Sequence, residues 1–325
     1  MDTRPLRSSA PFRRLWFGTG ISAIGSQVTT VTIPIQVYDE TGSTLLVGFL
    51  GIAALIPLLT VSLFAGAVAD AVDRRRLLLG SDVALAVVVV VLIGNALRSD
   101  PSVPLLFVCE ALAVAAYAFQ RPARNALTPK LVPDDQLLAA IAVEDVVHNL
   151  SRVAGPALAG VLVATVGFAG AYAVDLATFA ASLVAIWLLP RLPRIEGAET
   201  PSLRSIVTGF RYVRGKTPLL GIFTVDTVAM VFGMPSALFP AFAEELGGGA
   251  ETVGLLYAAP SAGAFAASIV SGWMTRVDRQ GLGVCVAAGA WGVAIGAVGL
   301  ATSIPLALVL LAAAGAADFV SAVLR

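Results

Sequence analysis

Apolar residues run along this 325-residue chain in long unbroken stretches rather than in alternation with polar ones. Ten stretches are long enough to cross a lipid bilayer as helices, which takes about 20 mostly apolar residues at about 1.5 Å rise each. They cover 15–37, 45–68, 77–97, 104–120, 146–166, 170–189, 219–242, 253–274, 282–302 and 304–323. The fourth is short, and the fifth opens on polar residues. Strands are excluded, because a membrane barrel would alternate apolar and polar positions along each one. The pattern predicts an all-α integral membrane protein.

Positive charge gives the helices a direction. Arg98 falls on one side and Arg152 within a span, while the other 19 of 21 Lys and Arg fall on the side of the N-terminus. The bias of Lys and Arg toward cytoplasmic loops then predicts that both termini are cytoplasmic. The run Leu15–Val37 is too long for a signal-peptide core and lacks a small-residue cleavage site, so it reads as a retained first span.

Composition agrees and removes alternatives. The chain is 58% hydrophobic and 13% charged, against about 25% charged for a soluble domain; mean hydropathy is +0.88. A soluble enzyme, a disordered chain and a disulfide scaffold are ruled out. Net charge is zero, so no basic field suggests nucleic acid. Cys109 and Cys285 read as two unpaired buried thiols, and with His148 the only histidine no zinc spacing exists.

An internal repeat is visible. Val47-Gly48-Phe49-Leu50 and Val253-Gly254-Leu255-Leu256 are offset by 206, as are Gly66 and Gly272, and Val72-Asp73-Arg74 matches Val277-Asp278-Arg279 at 205. An offset of six helices makes the halves parallel repeats. The expected organisation is a six-helix repeat over 1–190, a cytoplasmic linker with an interfacial helix over 191–218, and an incomplete four-helix repeat over 219–325. At that offset residue 325 corresponds to Phe119, so two helices of the second repeat are expected beyond the chain given.

The loop after the second span carries Gly66, Asp70, Asp73, Arg74, Arg75 and Arg76. Glycine permits close helix approach, the aspartates accept charge-assisted hydrogen bonds, and the arginines anchor at anionic headgroups. This loop resembles the Gly-x-x-x-Asp motif of the major facilitator superfamily, departing from it at Ala71, where a basic residue is usual, and at Asp73, where glycine is usual. Its Asp-Arg-Arg ending is similar to that of the branch containing enterobactin exporters and macrolide efflux proteins. Phe12–Trp16, Tyr38–Ser43, Arg121–Ala126 and Leu131–Pro133 resemble that branch as well. Gly155, Pro156 and Gly160 resemble the span-five Gly-Pro motif of antiporters, with Ser151 and Ala159 in place of two glycines. The resemblance implies a parallel two-repeat bundle with about ten of an expected twelve transmembrane helices.

Ionisable groups within spans are costly and usually functional. In the superfamily, spans one, four, seven and ten line the central cavity, so the resemblance implies cavity positions for Glu110, Asp226 and Asp318. A carboxyl group shielded from water favours its neutral form and can exchange a proton. Glu144, His148 and Arg152 recur every four residues and share one helix face, a candidate polar relay. Asp82 and Asp175 read as structural. The superfamily's arginine motif in span four is missing, with Cys109-Glu110 the only polar feature there, and Arg152 is the candidate substitute. Gly209–Thr217 imitates a phosphate loop but spaces its glycines by five residues and follows no strand. Leu203, Ile206, Val207 and Phe210 instead mark an interfacial helix. Gly292 and Gly296 read as packing within the chain.

These features imply a secondary active transporter that exports amphipathic small molecules (a drug, macrolide or siderophore) by proton antiport with alternating access. It takes no cofactor, metal or nucleotide. Its partners are the small-molecule substrate, protons and the lipid bilayer, and it is a monomer of the cell (inner or plasma) membrane. The alternatives are a non-transporting membrane receptor or an inactive truncated remnant. A membrane enzyme ranks third, since Asp134-Asp135 alone supplies no metal site.

Overall fold

The structure, a computed structural model, describes residues 2–189, 216, 221, 224, 233–276 and 279–324, with only the backbone described at a few positions, Gly66 and Asp70 among them. The described residues are helical, with no strand. They form α1 (Arg4–Ser8), α2 (Ala10–Thr41), α3 (Thr44–Ala71), α4 (Arg74–Ala96), α5 (Val103–Leu131), α6 (Leu137–Trp187), α7 (Phe239–Glu245), α8 (Ala250–Ile269), α9 (Gln280–Val298) and α10 (Ile304–Leu324). The chain divides into two compact units, Met1–Pro201 and Ser202–Arg325.

Capping chemistry sets the helix boundaries of the first unit. Ser9 accepts from the Phe12 N–H at 3.2 Å to open α2. Gly42 closes α2 with φ 61°, its N–H bonded to the Tyr38 carbonyl, and Ser43 opens α3 by accepting from Leu46. Two residues thus stop one helix and start the next. Between α4 and α5, Asn95 and Ser102 exchange hydrogen bonds of 2.9 and 3.3 Å and hold the connection shut.

Two predicted spans differ in extent. Span four continues as helix to Leu131, through Pro122 and Pro129, because Ala123, Leu127 and Leu131 are buried in a cluster with Phe12, Leu15, Leu78 and Ile186. Spans five and six form α6 without an intervening loop. Its arms, 137–166 and 168–187, meet at Gly167, whose φ 72° and ψ 179° only glycine tolerates.

In the first unit α2 packs along α6, α6 on α4, α4 on α5, and α5 on α3. In the second, α10 packs on α8 and on α9. Both α3 and α8 begin 206 residues apart, as do α4 and α9. Large apolar side chains face outward along α3 (Ile52, Ile56, Leu59, Phe64) and α4 (Val83, Val87, Val90), as a lipid-facing surface requires. Seven of the described helices are long and apolar enough to cross a membrane, with α6 counted once. The first predicted span, within α2, is not among them, because its buried face carries Ser22, Ser26, Thr29, Thr32 and Gln36. The seventh predicted span and the interfacial helix lie mostly or wholly outside the described residues.

Candidate functional site

Three helices of the first unit turn polar stripes toward one another. On α2, Ser22, Ser26, Thr29 and Gln36 recur at spacings of four, three and seven, which keeps them on one face. The second arm of α6 carries Tyr172, Asp175, Thr178 and Ser182 on the face opposed to it. On α5, Glu110, Tyr117, Arg124 and Thr128 follow spacings of seven, seven and four, with Gln120 alongside. From Ser22 to Gln36 the seam is roughly 21 Å long at helical rise.

Asp175 is 1% exposed. Its Oδ2 accepts from the Thr29 hydroxyl at 2.5 Å, while the Thr178 hydroxyl donates to the Asp175 backbone carbonyl at 2.7 Å and lies 3.2 Å from Oδ1. Gly25 faces it: a Cβ there would sit 2.6 Å from Asp175 Oδ1 and collide with Thr178, so only glycine leaves the carboxyl this space. Asp82 of α4 is 2% exposed, accepting from Gln120 Nε2 at 2.5 Å and from the Ser182 hydroxyl at 2.7 Å. Tyr172 donates to Gln36 Oε1 at 2.8 Å, and Gln36 Nε2, buried, has no hydrogen-bond partner among the described residues.

Tyr117 lies beside Ser26, within electrostatic reach of Asp175, Asp82 and Glu110. Glu110 is also within reach of Tyr172. At the other end of α5, Thr128 donates to Glu144 at 2.8 Å, and Arg124 lies within electrostatic reach of both Glu144 and Asp82. Burying a carboxyl group without a counter-ion is expensive. At the surface, by contrast, the exposed Arg4 and Asp2 pair at 2.7 Å, and there the guanidinium holds the Asp2 carboxyl below its usual range.

The predicted site residues divide accordingly. Glu110 belongs to the seam and Glu144 bonds to α5, whereas His148 and Arg152, on the predicted relay face, are exposed. Asp226 lies outside the described residues, and Asp318 is half-buried on α10. Gly155, Pro156 and Gly160 are buried, and Gly155 abuts α2 so closely that a Cβ would collide with Gln27. In the loop motif Gly66 and Asp70 fall where side chains are outside the described residues. Asp73 caps α4, accepting from the N–H groups of Arg75 and Arg76 at 2.9 and 3.2 Å. Arg74 is buried, and Arg75 donates to the carbonyls of Ile186 (3.1 Å) and Trp187, capping the end of α6.

Two readings are corrected. Cys109 is buried, but Cys285 is exposed among the described residues. Cys109-Glu110 is not the only polar feature of the fourth span: Tyr117 lies within it, and its helix continues through Gln120, Arg124 and Thr128. Asp82 and Asp175, read as structural, are buried and hydrogen-bonded within the polar seam, which the sequence reading did not assemble. The 3–4 spacing of hydroxyl residues on α2 was the signal available for finding it.

Residues 2–323 match the family described as transmembrane secretion effector. Macrolide efflux protein A of Streptococcus pyogenes is 27% identical over 70% of this chain, which spans 58% of that protein. The enterobactin exporter of Shigella boydii serotype 4 is 28% identical over 98% of this chain and 77% of its own length. In fold, a bacterial homologue of the human lysosomal transporter Spinster aligns with a TM-score of 0.73 at 16% identity, covering 98% of this chain and 74% of the other. A D-xylose–proton symporter aligns at a TM-score of 0.62 and 16% identity, covering 99% and 81%.

Proposed function

Because the chain belongs to the transmembrane secretion effector family, within the major facilitator superfamily of transporters, we propose that it exports amphipathic small molecules by proton antiport, alternating between inward and outward access. The observation that carries this reading is the buried seam of the first unit, where Asp82, Glu110 and Asp175 lie among helices that face lipid. Ionisable groups at membrane depth are retained for ion pathways, proton relays or ligand recognition. Relatives named for a macrolide and for enterobactin support a bulky amphipathic substrate. The positive charge on the side of the N-terminus supports cytoplasmic termini in the bacterial inner membrane. Protons are the counter-ion of the reading, and the monomer is its transporting form.

Alternating access needs each ligand to favour one conformation over the other. A proton on a carboxyl group removes charge from the bundle, and an arriving substrate favours the deprotonated form, so that release of one follows binding of the other. The loop motif contributes by holding α4 to α6: Asp73 fixes the start of one helix and Arg75 clasps the end of the other.

The test is uptake of a macrolide or a catecholate siderophore into proteoliposomes bearing the purified chain, with an imposed pH gradient. Accumulation that collapses with a protonophore is expected. No accumulation of either probe, or accumulation indifferent to the gradient, overturns the reading.

A further inference from the structure

We propose that the crevice between α4 and the second arm of α6 binds one anionic phospholipid, with Arg76 and the Trp187 indole N–H holding its phosphodiester and the two helices lining its acyl chains. The crevice lies on the outer surface of the first unit, apart from the polar seam, and does not depend on what the chain transports.

Hydrogen bonds fix the register of these two antiparallel helices. Arg75 Nε donates to the Ile186 carbonyl at 3.1 Å and Arg75 Nη2 donates to that of Trp187, while the Ser182 hydroxyl donates to Asp82 at 2.7 Å. That register sets Arg76 opposite Trp187, Val83 opposite Ala180 and Val90 opposite Ala173. On each helix the three residues recur every seven positions, close to two turns, and so share a face. All six are exposed, Trp187 at 67%. The facing stripes run for roughly 21 Å at helical rise, longer than one leaflet of a hydrocarbon core about 30 Å thick.

Hydrogen-bond donors gather only at the Arg76–Trp187 end of the stripes. Arg75 directs its guanidinium onto the last carbonyls of α6, so Arg76 is the cation that faces outward. The Asp73 carboxylate accepts from the backbone N–H groups of Arg75 and Arg76 rather than from a guanidinium. The indole N–H of Trp187 has no hydrogen-bond partner among the described residues. A surface that only met hydrocarbon would need neither donor. Tryptophan concentrates at headgroup depth, and basic pockets between spans take anionic headgroups. Beyond these donors the facing residues are valine and alanine, and each alanine presents only a methyl group. An anion joined to acyl chains matches this sequence of surfaces, whereas a soluble phosphate would use only its first turn.

Native mass spectrometry of the detergent-purified full chain tests the site, with phosphatidylglycerol, phosphatidylethanolamine and phosphatidylcholine of identical acyl chains as probes. One saturable phosphatidylglycerol adduct is expected, at least about fivefold tighter than either zwitterionic lipid, the size of one arginine's contribution at an anionic surface. Arg76→Gln is expected to abolish the preference, and Arg76→Lys to keep most of it, which separates lost charge from lost fold. Trp187→Phe keeps a ring, removes the N–H and is expected to weaken phosphatidylglycerol binding about threefold. Arg7→Gln removes an exposed charge on α1, outside the crevice, and is expected to change nothing. Zwitterionic lipids bound as tightly as phosphatidylglycerol, or a loss in Arg7→Gln equal to that in Arg76→Gln, overturn the site. Displacement of the adduct by glycerol phosphate overturns the lipid as its occupant.

Discussion

Asp73 shows how one side chain can depart from a family's usual residue and still serve the loop. Glycine is usual at this position in the motif it resembles, and glycine tolerates a helix start well. Aspartate adds a side chain that accepts from two backbone N–H groups of α4. Asp73→Gly is therefore expected to cost only a few tenths of a kcal/mol and Asp73→Ala about 1 kcal/mol, read as the difference in detergent melting temperature. Arg75 makes a different contribution, since it joins α4 to the last carbonyls of α6. Arg75→Ala should lower stability by about 1 kcal/mol, because hydrogen bonds to a charged donor exceed neutral ones but this pair is partly solvated. A melting temperature equal to that of the parent protein would remove the clasp from the account of the loop.

At the scale of elements, the decisive contact of the second unit is the crossing of α8 and α10. A Cβ on Gly263 would run into the Ala312 carbonyl, and one on Gly315 into the Pro260 carbonyl. Each glycine admits the backbone of the other helix. Either Gly→Ala change is expected to force the pair apart, at about 1–3 kcal/mol, with loss of monodisperse protein on gel filtration the simplest readout. Helix boundaries at Thr41-Gly42-Ser43 and at Asp73 were legible as caps in the residue string. The extent of α5 was not, because Pro122, Pro129 and the basic residues around them look like a loop until their apolar partners on α2, α4 and α6 are known. Gly167 likewise resembles a break between two helices, which it is, but not the loop that such a break suggests.

Across the whole molecule, hydrophobicity dictated the class of fold and positive charge suggested its direction, whereas the candidate site was only partly readable. Glu110 stood out because a carboxylate in an apolar run is conspicuous. The seam around it did not, because serine, threonine and tyrosine are ordinary in membrane helices, and only the pairing of α2 with α6 shows that their stripes face each other. The antiport reading makes a demand at this scale. Glu110→Gln preserves shape and hydrogen-bonding capacity while removing a titrating group, so uphill export should vanish while substrate binding persists. Asp226→Asn tests the corresponding expectation in the second unit. Full gradient-driven export by both variants would separate these residues from coupling.

The tight joints at the end of the first unit remote from the N-terminus carry a practical consequence. Gly42 and Ser43 alone separate α2 from α3, Gly167 turns α6 back without a loop, and residues 97–102 are clamped by Asn95 and Ser102. That end of the first unit therefore offers an engineered nanobody very little to grip, and a protease almost nothing to cut. A fiducial for electron microscopy would find only the short 97–102 segment, where Leu97 stands exposed, as a foothold on that face.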